Sequence, residues 1–482
     1  MKIPKIISSI ISQLEKKGFN AHIVGGCVRD FLIGQDPNDW DIATNASPEE
    51  IQKIFPNNFY ENDFLTVTIQ TKSKDANFKE IEITTYRFET TYSDKRHPDN
   101  VKIAKTLEED LSRRDFTINA IAMDAKGNII DPFCGQKDVE NKLVKAVGKA
   151  KERFSEDALR MMRAVRFATV LGFDIESKTQ KAIIKNSSLL KHVSQERIRD
   201  ELMKIIMSKR AADGIELLRE LELLKYIIPE LEEGYKVKQN KHHTLGCYAH
   251  NIESLRFTAE KNFNKFVRLA ALLHDVGKPR TKRGQGENAT FYGHEVVGAR
   301  MSREILERLK FSKKEIQKIV KLVRYHLFYY HPDEVGDASV RKLTRNVGIE
   351  DMPDLIKVRM ADRIGSGCPK AKPYKLRHLE YAIEKISKDP ISVKMLRVSG
   401  NDIIKQLEIK PGPKIGYILN ILLGYVLEDP KKNKKKFLKE EIDNLNKLSE
   451  TKLKKLSKKT KEGVEKIEIK DDEMTKDKYW VK

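Results

Sequence analysis

AHIVGGCVRDFLIGQDPNDWDIAT, residues 21–44, is the stretch whose reading decides the fold. Its apolar start, residues 21–24, reads as a short strand running into Gly25-Gly26. Val28 to Ile33 suggest a helical turn closed by Gly34. Asp39 and Asp41 follow, i and i+2 on what reads as a second strand, so both carboxylates point to one face. Hard divalent cations such as Mg²⁺ take clustered oxygen ligands. Two carboxylates on one strand face, just after a glycine turn, could hold metal over a nucleoside triphosphate. The plain alternative for a D-x-D pair is a solvated strand edge.

Working outward, residues 3–17 repeat apolar positions at helical spacing until Gly18. FLTVTIQ (64–70) and EIEITTY (80–86) alternate and are β-branched, which favours strands. FTINAIAM (116–123) and Ile129–Ile130 read as further elements of the same α/β unit. DPFCGQKDVENK (131–142) reads as a turn and a helix. After about residue 150 strand patterns almost vanish, and amphipathic helices follow one another. An N-terminal α/β domain with an extended helical body is expected. KKNKKK (431–436) and KLKKLSKK (452–459) are basic blocks. The region after about 445 has low complexity and reads as a mobile helix or disordered, either a solvated face or an RNA contact.

The 482 residues are too many for one core, so several domains are expected. The formal charge of +21 suits a polyanionic partner, and nucleic acid is the natural candidate. Cys27, Cys134, Cys247 and Cys368 stand far apart, without zinc-ligand spacing, as in a reducing compartment. No apolar run reaches about 18 residues and no signal-peptide pattern appears. A soluble, cytoplasmic chain with no membrane partner is expected, its oligomeric state left open.

Three further clusters carry chemistry. In EEDLSRRDFTINAIAMD (108–124), Arg113 and Arg114 lie close to Asp110 and Asp115. The guanidinium fork matches phosphate oxygens, although a helix-capping ion pair is the plain alternative. Glu82, in an alternating strand, could add a third carboxylate to Asp39 and Asp41, or be an exposed edge residue. Asp110 competes for that role. In RFSEDALRMMRAVRFATVLGF (153–173), Asp157, Arg160, Arg163 and Arg166 follow helical spacing along one side. Asp accepts from an exocyclic amine and Arg donates to a ring acceptor. Such a pair could read cytosine or adenine edges without a nucleic-acid template, and the alternative is a salt-bridge ladder. ALLHDVGKPRT (271–281) joins His274 to Asp275 on an apolar helix. His250, His294, His326 and Asp362 stand where they could join that doublet as metal ligands, with His242 and His243 outside the site.

GGCVRD, NDWDIAT, EEDLSRRDFTINAIAMD, DPFCGQKDVENK, EDALRMMRAVRFA and SQERIRDELMKI (194–205) occur in this order. Together they resemble the successive motifs of the class II tRNA nucleotidyltransferases, that is, the CCA-adding enzymes and bacterial poly(A) polymerases. The resemblance covers roughly residues 20–235, and PGPKIGYILNILLGYVLEDPKKN (411–433) resembles the family's helical tail. It implies an α+β fold: a polymerase-β-like nucleotidyltransferase head with a mixed sheet, then an all-α neck, body and tail. The implied domains are a head (1–145), a neck (146–235), an HD domain (236–366), a tRNA-binding tail (367–445) and a Lys-rich extension (446–482).

The resemblance also implies roles. Gly26 and Arg29 would contact the triphosphate, Asp39 and Asp41 would bind two Mg²⁺ ions, and Arg113, with Arg114, would sit against the incoming nucleotide. Asp157 and Arg160 would act as the protein template, with Arg163 and Arg166 supporting phosphate or base contacts. The implied partners are CTP, ATP and the acceptor–TΨC arm of tRNA, and the chemistry is two-metal phosphoryl transfer. CC-adding members lack a flexible loop that is full length here, residues 87–110. Its YSDKRHPD resembles the complete enzymes, with Lys95-Arg96-His97 where Gly-Arg-Arg is more usual. That disfavours CC-only addition and leaves A-only addition open. Poly(A) polymerase is disfavoured, because the Gly, basic residues and Phe that mark that branch are not seen near the acid pair. The histidine set is similar to the HD phosphohydrolases, with His250, His274, Asp275 and Asp362 as the minimal ligands and His294 and His326 completing a two-metal form. This implies phosphatase or 2′,3′-cyclic phosphodiesterase activity on RNA ends with Ni²⁺, Co²⁺ or Mn²⁺. The rival reading is an HD phosphohydrolase with a non-catalytic RNA-binding head.

Overall fold

Ile7, Ile10, Ile11 and Leu14 are all buried, and this stripe at helical spacing makes α1 (Lys5–Glu15) and seats it on the first sheet. The computed structural model describes residues 3–37, 39–61, 65–89, 101–239, 245–387 and 393–481. After α1 come β1 (Ala21–Val24), α2 (Gly26–Leu32), β2 (Asp41–Thr44) and α3 (Pro48–Ile54). Next are β3 (Asn58–Glu61), β4 (Thr66–Gln70), β5 (Glu80–Thr85), β6 (Arg87–Glu89), β7 (Val101–Ile103) and α4 (Leu107–Ser112). β8 (Ala122–Met123), β9 (Ile129–Ile130), α5 (Gly135–Glu140) and β10 (Leu143–Val144) complete the head.

Seven of these strands form one mixed sheet in the order β3-β4-β5-β2-β1-β8-β9. β2 pairs antiparallel with β1 and parallel with β5. β1, β2 and β5 therefore sit mid-sheet, and Ile23, Ile42 and Ile83 on them are fully buried. β6 and β7 make a separate antiparallel hairpin.

Helices follow: α6 (Ala150–Glu156), α7 (Leu159–Leu171), then β11 (Asp174–Ile175), which pairs parallel with β10. α8 (Ser177–Asn186), α9 (Gln195–Ile206), α10 (Ala211–Glu220) and α11 (Pro229–Glu232) lead to a second helical group. That group holds α12 (Cys247–Glu260), α13 (Lys265–Leu273), α14 (Lys278–Thr281), α15 (His294–Arg308) and α16 (Lys313–Tyr325). The fully buried Arg268 of α13 donates to the carbonyls of Ile206 and Ser208, joining α13 to the end of α9.

The remaining helices are α17 (Asp337–Val347), α18 (Met352–Gly365), α19 (Tyr374–Ser387), α20 (Gly400–Leu407), α21 (Pro413–Glu428), α22 (Lys435–Asn446) and α23 (Glu450–Tyr479). Contacts group the chain into two units, Met1–Leu327 with Pro353–Ala371, and Phe328–Met352 with Lys372–Lys482. Within the second, Ile418, Leu422, Leu438, Ile442 and Leu453 form a core. Of the two readings of the low-complexity end, the structure takes the helix: residues 450–479 are one helix whose Leu453 and Ser457 are buried. Lysines hide that stripe in the sequence. α23 packs closely on α21, where a Cβ on Gly424 would lie 2.8 Å from Thr460 Cγ2. Among the described residues, no helix is long and apolar enough to cross a membrane.

Candidate active site

β1 ends at the Gly25-Gly26 turn, which lines a cavity of about 840 Å³. Gly25 has φ +82°, and a Cβ there would lie 2.9 Å from Arg114 Nη1 and 3.7 Å from Asp41 Oδ2. Glycine takes that backbone at no steric cost and leaves room for both groups. β2 starts at Asp41, whereas Asp39 sits in a bend ahead of it. The expectation of both acids on one strand is corrected: the ladder with β1 ends at the pair Val24–Asp41, because the chain turns away at Gly25. Both acids nonetheless line the cavity.

The parallel register of β2 and β5 sets Asp41 opposite Glu82, which lines the cavity as well. Burial pushes the Asp41 carboxyl up; Arg114 opposes this and the Asp39 charge adds to it. Asp41 is half-buried while Asp39 and Glu82 are exposed, so the three carboxylates line the cavity from its open side, and oxygen donors of this kind suit a hard divalent cation. Asp110 is turned elsewhere. It is buried and accepts from Arg113 Nε at 3.0 Å and Arg114 Nη2 at 3.2 Å. Burial would raise its carboxyl, but the two arginines hold it below the usual range.

A line of polar contacts runs from the turn to α7. Arg29 Nη1 donates to Asn119 Oδ1 at 2.7 Å, Asn119 Nδ2 to Asp115 Oδ1 at 3.1 Å, and Arg163 Nε to Asp115 Oδ2 at 2.7 Å. Burial alone would raise the Asp115 carboxyl; Arg163 and Asn119 hold it down at about 2. Arg166 stacks 3.9 Å from the Phe167 ring centre, with Arg29 at 5.2 Å and Arg163 at 5.5 Å. Gly26, Arg29, Arg113, Arg114, Arg163 and Arg166 all line the cavity. Arg166 also pairs with Glu201 at 2.6 Å.

Asp157 departs from the expected helical face. α6 ends at Glu156, Asp157 is extended (φ −138°, ψ 104°), and α7 starts at Leu159. Its Oδ1 accepts from Leu159 N at 3.0 Å, the local bond by which aspartate breaks a helix. Arg160, Arg163 and Arg166 do share α7. Arg160 pairs with Glu156 at 2.6 Å and donates to the Arg113 carbonyl at 3.2 Å. Asp157 pairs instead with Arg197 of α9, at 2.7 Å. Arg197, Glu156, Asn119 and Phe167 were not singled out by the sequence reading, although each lies inside a quoted motif.

In the second helical group, His250 lies on α12, His274 caps α13, His294 begins α15, His326 caps α16 and Asp362 lies on α18. His250 Nε2 is 2.8 Å from His274 Nε2, 3.2 Å from Asp275 Oδ2 and 3.3 Å from Asp362 Oδ1. His294 Nε2 and His326 Nε2 lie 3.2 and 3.7 Å from Asp275 Oδ1. His274, His294 and His326 each aim Nδ1 at the carbonyl three residues back, at 2.7, 2.8 and 2.7 Å. Donation there assigns the proton to Nδ1 and turns three Nε2 lone pairs toward the carboxylates.

His250, His274 and Asp275 form one buried set, and Asp275, His294 and His326 a second, with ligand atoms within 4.8 Å in each. Burial opposes charge on His250, yet Asp275 and Asp362 raise it to about 9, whereas burial takes His326 down to about 3. Imidazole nitrogens crowded on carboxylates fit a transition metal. A cavity of about 640 Å³ opens beside them, lined also by Lys278, Tyr292 and Arg359. His242, His243 and the Lys95-Arg96-His97 stretch lie outside the described residues.

Three family profiles match in order: the Poly A polymerase head domain over residues 21–145, the probable RNA and SrmB binding site of polymerase A over 172–234, and the HD domain over 242–364. Both the head and HD modules imply use of divalent metal. The chain is 46% identical to the CCA-adding enzyme of Geobacillus thermodenitrificans over 47% of this chain and 55% of that one, so this match spans about half of the relative. It is 34% identical to the CCA-adding enzyme of Ligilactobacillus salivarius over 90% of this chain and 96% of that one. The crystal structure of the Bacillus stearothermophilus CCA-adding enzyme in complex with CTP matches with a TM-score of 0.61 and 29% identity, covering 92% of this chain and 98% of that one. The Thermotoga maritima enzyme complexed with tRNA shares the fold, with a TM-score of 0.52 at 20% identity, covering 92% and 97%.

Proposed function

The chain belongs to the CCA-adding enzyme family, and on that premise we propose that it adds C, C and A from CTP and ATP to tRNA 3′ ends without a nucleic-acid template. The observation that carries this reading is one cavity shared by Asp39, Asp41 and Glu82, the arginines, and Asp157 with Arg160. Arg29, Arg113 and Arg114 hold the triphosphate, with Asp110 and Asn119 fixing their guanidinium groups. Asp157 accepts from the exocyclic amine of cytosine or adenine, and Arg160 donates to the ring nitrogen beside it. Uracil and guanine present a carbonyl where Asp157 needs a donor, so they are rejected. The tRNA 3′-hydroxyl attacks the α-phosphorus and pyrophosphate leaves. Asp39 and Asp41, with Glu82 beside them, would hold Mg²⁺, which would supply a lower pKa for that hydroxyl and charge neutralisation for the leaving group.

Asp39→Ala and Asp41→Ala are expected to lose nucleotide incorporation by at least about a thousandfold while retaining tRNA binding; normal extension by either would overturn the metal assignment. Arg160→Ala is expected to blur the choice of CTP and ATP over UTP and GTP. A-only addition is the competing outcome of the same assay, read from tRNA lacking CCA.

The histidine cage supports a second activity, metal-dependent hydrolysis of phosphoesters at RNA 3′ ends. His250, His274, Asp275 and Asp362, with His294 and His326, would hold a transition metal such as Ni²⁺, Co²⁺ or Mn²⁺, which would supply an activated water. Hydrolysis of 2′,3′-cyclic AMP, lost in His274→Ala, is expected; no hydrolysis with any of the three metals would leave the cage a structural one.

A further inference from the structure

Asp157 stands outside any helix, at the break between α6 and α7, and its carboxylate is held from a third element. Arg197 Nη2 donates to Oδ2 at 2.7 Å and Nη1 to Oδ1 at 3.2 Å, a two-pronged grip from the first turn of α9. A carboxylate has about four acceptor positions. Arg197 takes one on each oxygen, and Leu159 N takes the second on Oδ1. Among the described residues one position remains, on Oδ2. Asp157 and Arg197 both line the cavity, so this position is the one left for a ligand there.

We propose that Arg197 is the positioning residue that makes Asp157 a reader of a single amino hydrogen, and so sets nucleotide choice from outside the base contact. The proposal rests on the reading that Asp157 meets the base. A free carboxylate rotates about its Cβ–Cγ bond and offers any of its acceptor positions, or a water, to the base. A carboxylate gripped by a guanidinium fork has one plane and one open position. A base with a carbonyl at that point meets an acceptor that cannot turn aside. Lysine would keep the charge but not the fork, so it cannot fix the plane.

The test compares kcat/KM for CTP and UTP on tRNA lacking CCA, using the full chain and its Arg197→Ala, Arg197→Lys and Asp157→Ala variants. Arg197→Ala is expected to lower the CTP-over-UTP ratio by about tenfold or more, with more of the change in KM than in kcat. Arg197→Lys is expected to lower it less, and it serves where the alanine variant folds poorly. A purely structural role would slow both nucleotides alike and leave the ratio unchanged. An unchanged ratio in both Arg197 variants, with Asp157→Ala losing it, overturns the clamp and spares the base-reading role. An unchanged ratio in Asp157→Ala overturns that role, and the clamp with it.

Discussion

Asp115 joins the arginines of the turn to those of α7, and its environment sets a measurable pH dependence. Arg163 and Asn119 outweigh burial and hold its carboxyl at about 2, below the ordinary 3.8. The folded state therefore binds this proton less readily than the unfolded chain. The contribution to stability is fully present above about pH 4 and is lost as the pH falls towards 2. Asp115→Asn is expected to flatten the acid limb of a stability-against-pH curve between those values; an unchanged limb would remove Asp115 as its source. Gly25 is the other single residue on which the site turns. Gly25→Ala combines positive φ with a Cβ 2.9 Å from Arg114 Nη1, so it should displace Arg114. A rise of about tenfold in KM for CTP is expected, as for a lost charge-assisted contact. At this scale residue types were legible but partners were not. Asp39 and Asp41 do line the cavity, yet they do not share a strand, since register depends on where β1 turns away. Arg160 and Asp157 line the same cavity, yet their partners are Glu156 and Arg197 respectively. The latter pair spans forty positions of sequence, which no local spacing can reveal.

Among the elements, β1 and α2 were readable from an apolar run and glycine stops, β4 and β5 from alternating β-branched residues, and α5 from the turn that precedes it. β3 and the β6–β7 hairpin were missed: they are three or four residues long, and Phe59, Phe88 and Ile103 on them are exposed. The sequence leaves α23 between a mobile helix and disorder for the opposite reason. Its lysines dominate the composition, while the stripe of Leu453, Leu456, Ser457 and Val464 that packs on the second unit's core is sparse. This separates two substitutions on one helix. Leu453→Ala is expected to destabilise the second unit by about 3 kcal/mol, as for other fully buried leucines. Lys458→Ala, on the exposed side, should stay within about 0.5 kcal/mol. Urea unfolding followed by hydrogen exchange in α21 and α23 checks both, and equal effects would contradict the packed helix.

At the scale of the whole molecule, motif order was legible because each motif carries chemistry that only a few residue types perform. The grouping of residues 328–352 with the C-terminal helices is a contact property that no motif marks. The charge of +21 has its own consequence. tRNA binding should weaken by at least about tenfold between roughly 50 and 200 mM salt, with log K linear in log salt. A flat salt response would argue against phosphate contacts as the main source of affinity. The central claim is that one cavity selects and adds both C and A. The most direct test incubates the full chain with tRNA lacking CCA, and separately with tRNA ending in CC, supplying each labelled nucleotide in turn and then CTP with ATP. Extension of both substrates to complete CCA, with no incorporation of UMP or GMP, is expected. Extension of the CC-ending tRNA alone, or of neither, would contradict it.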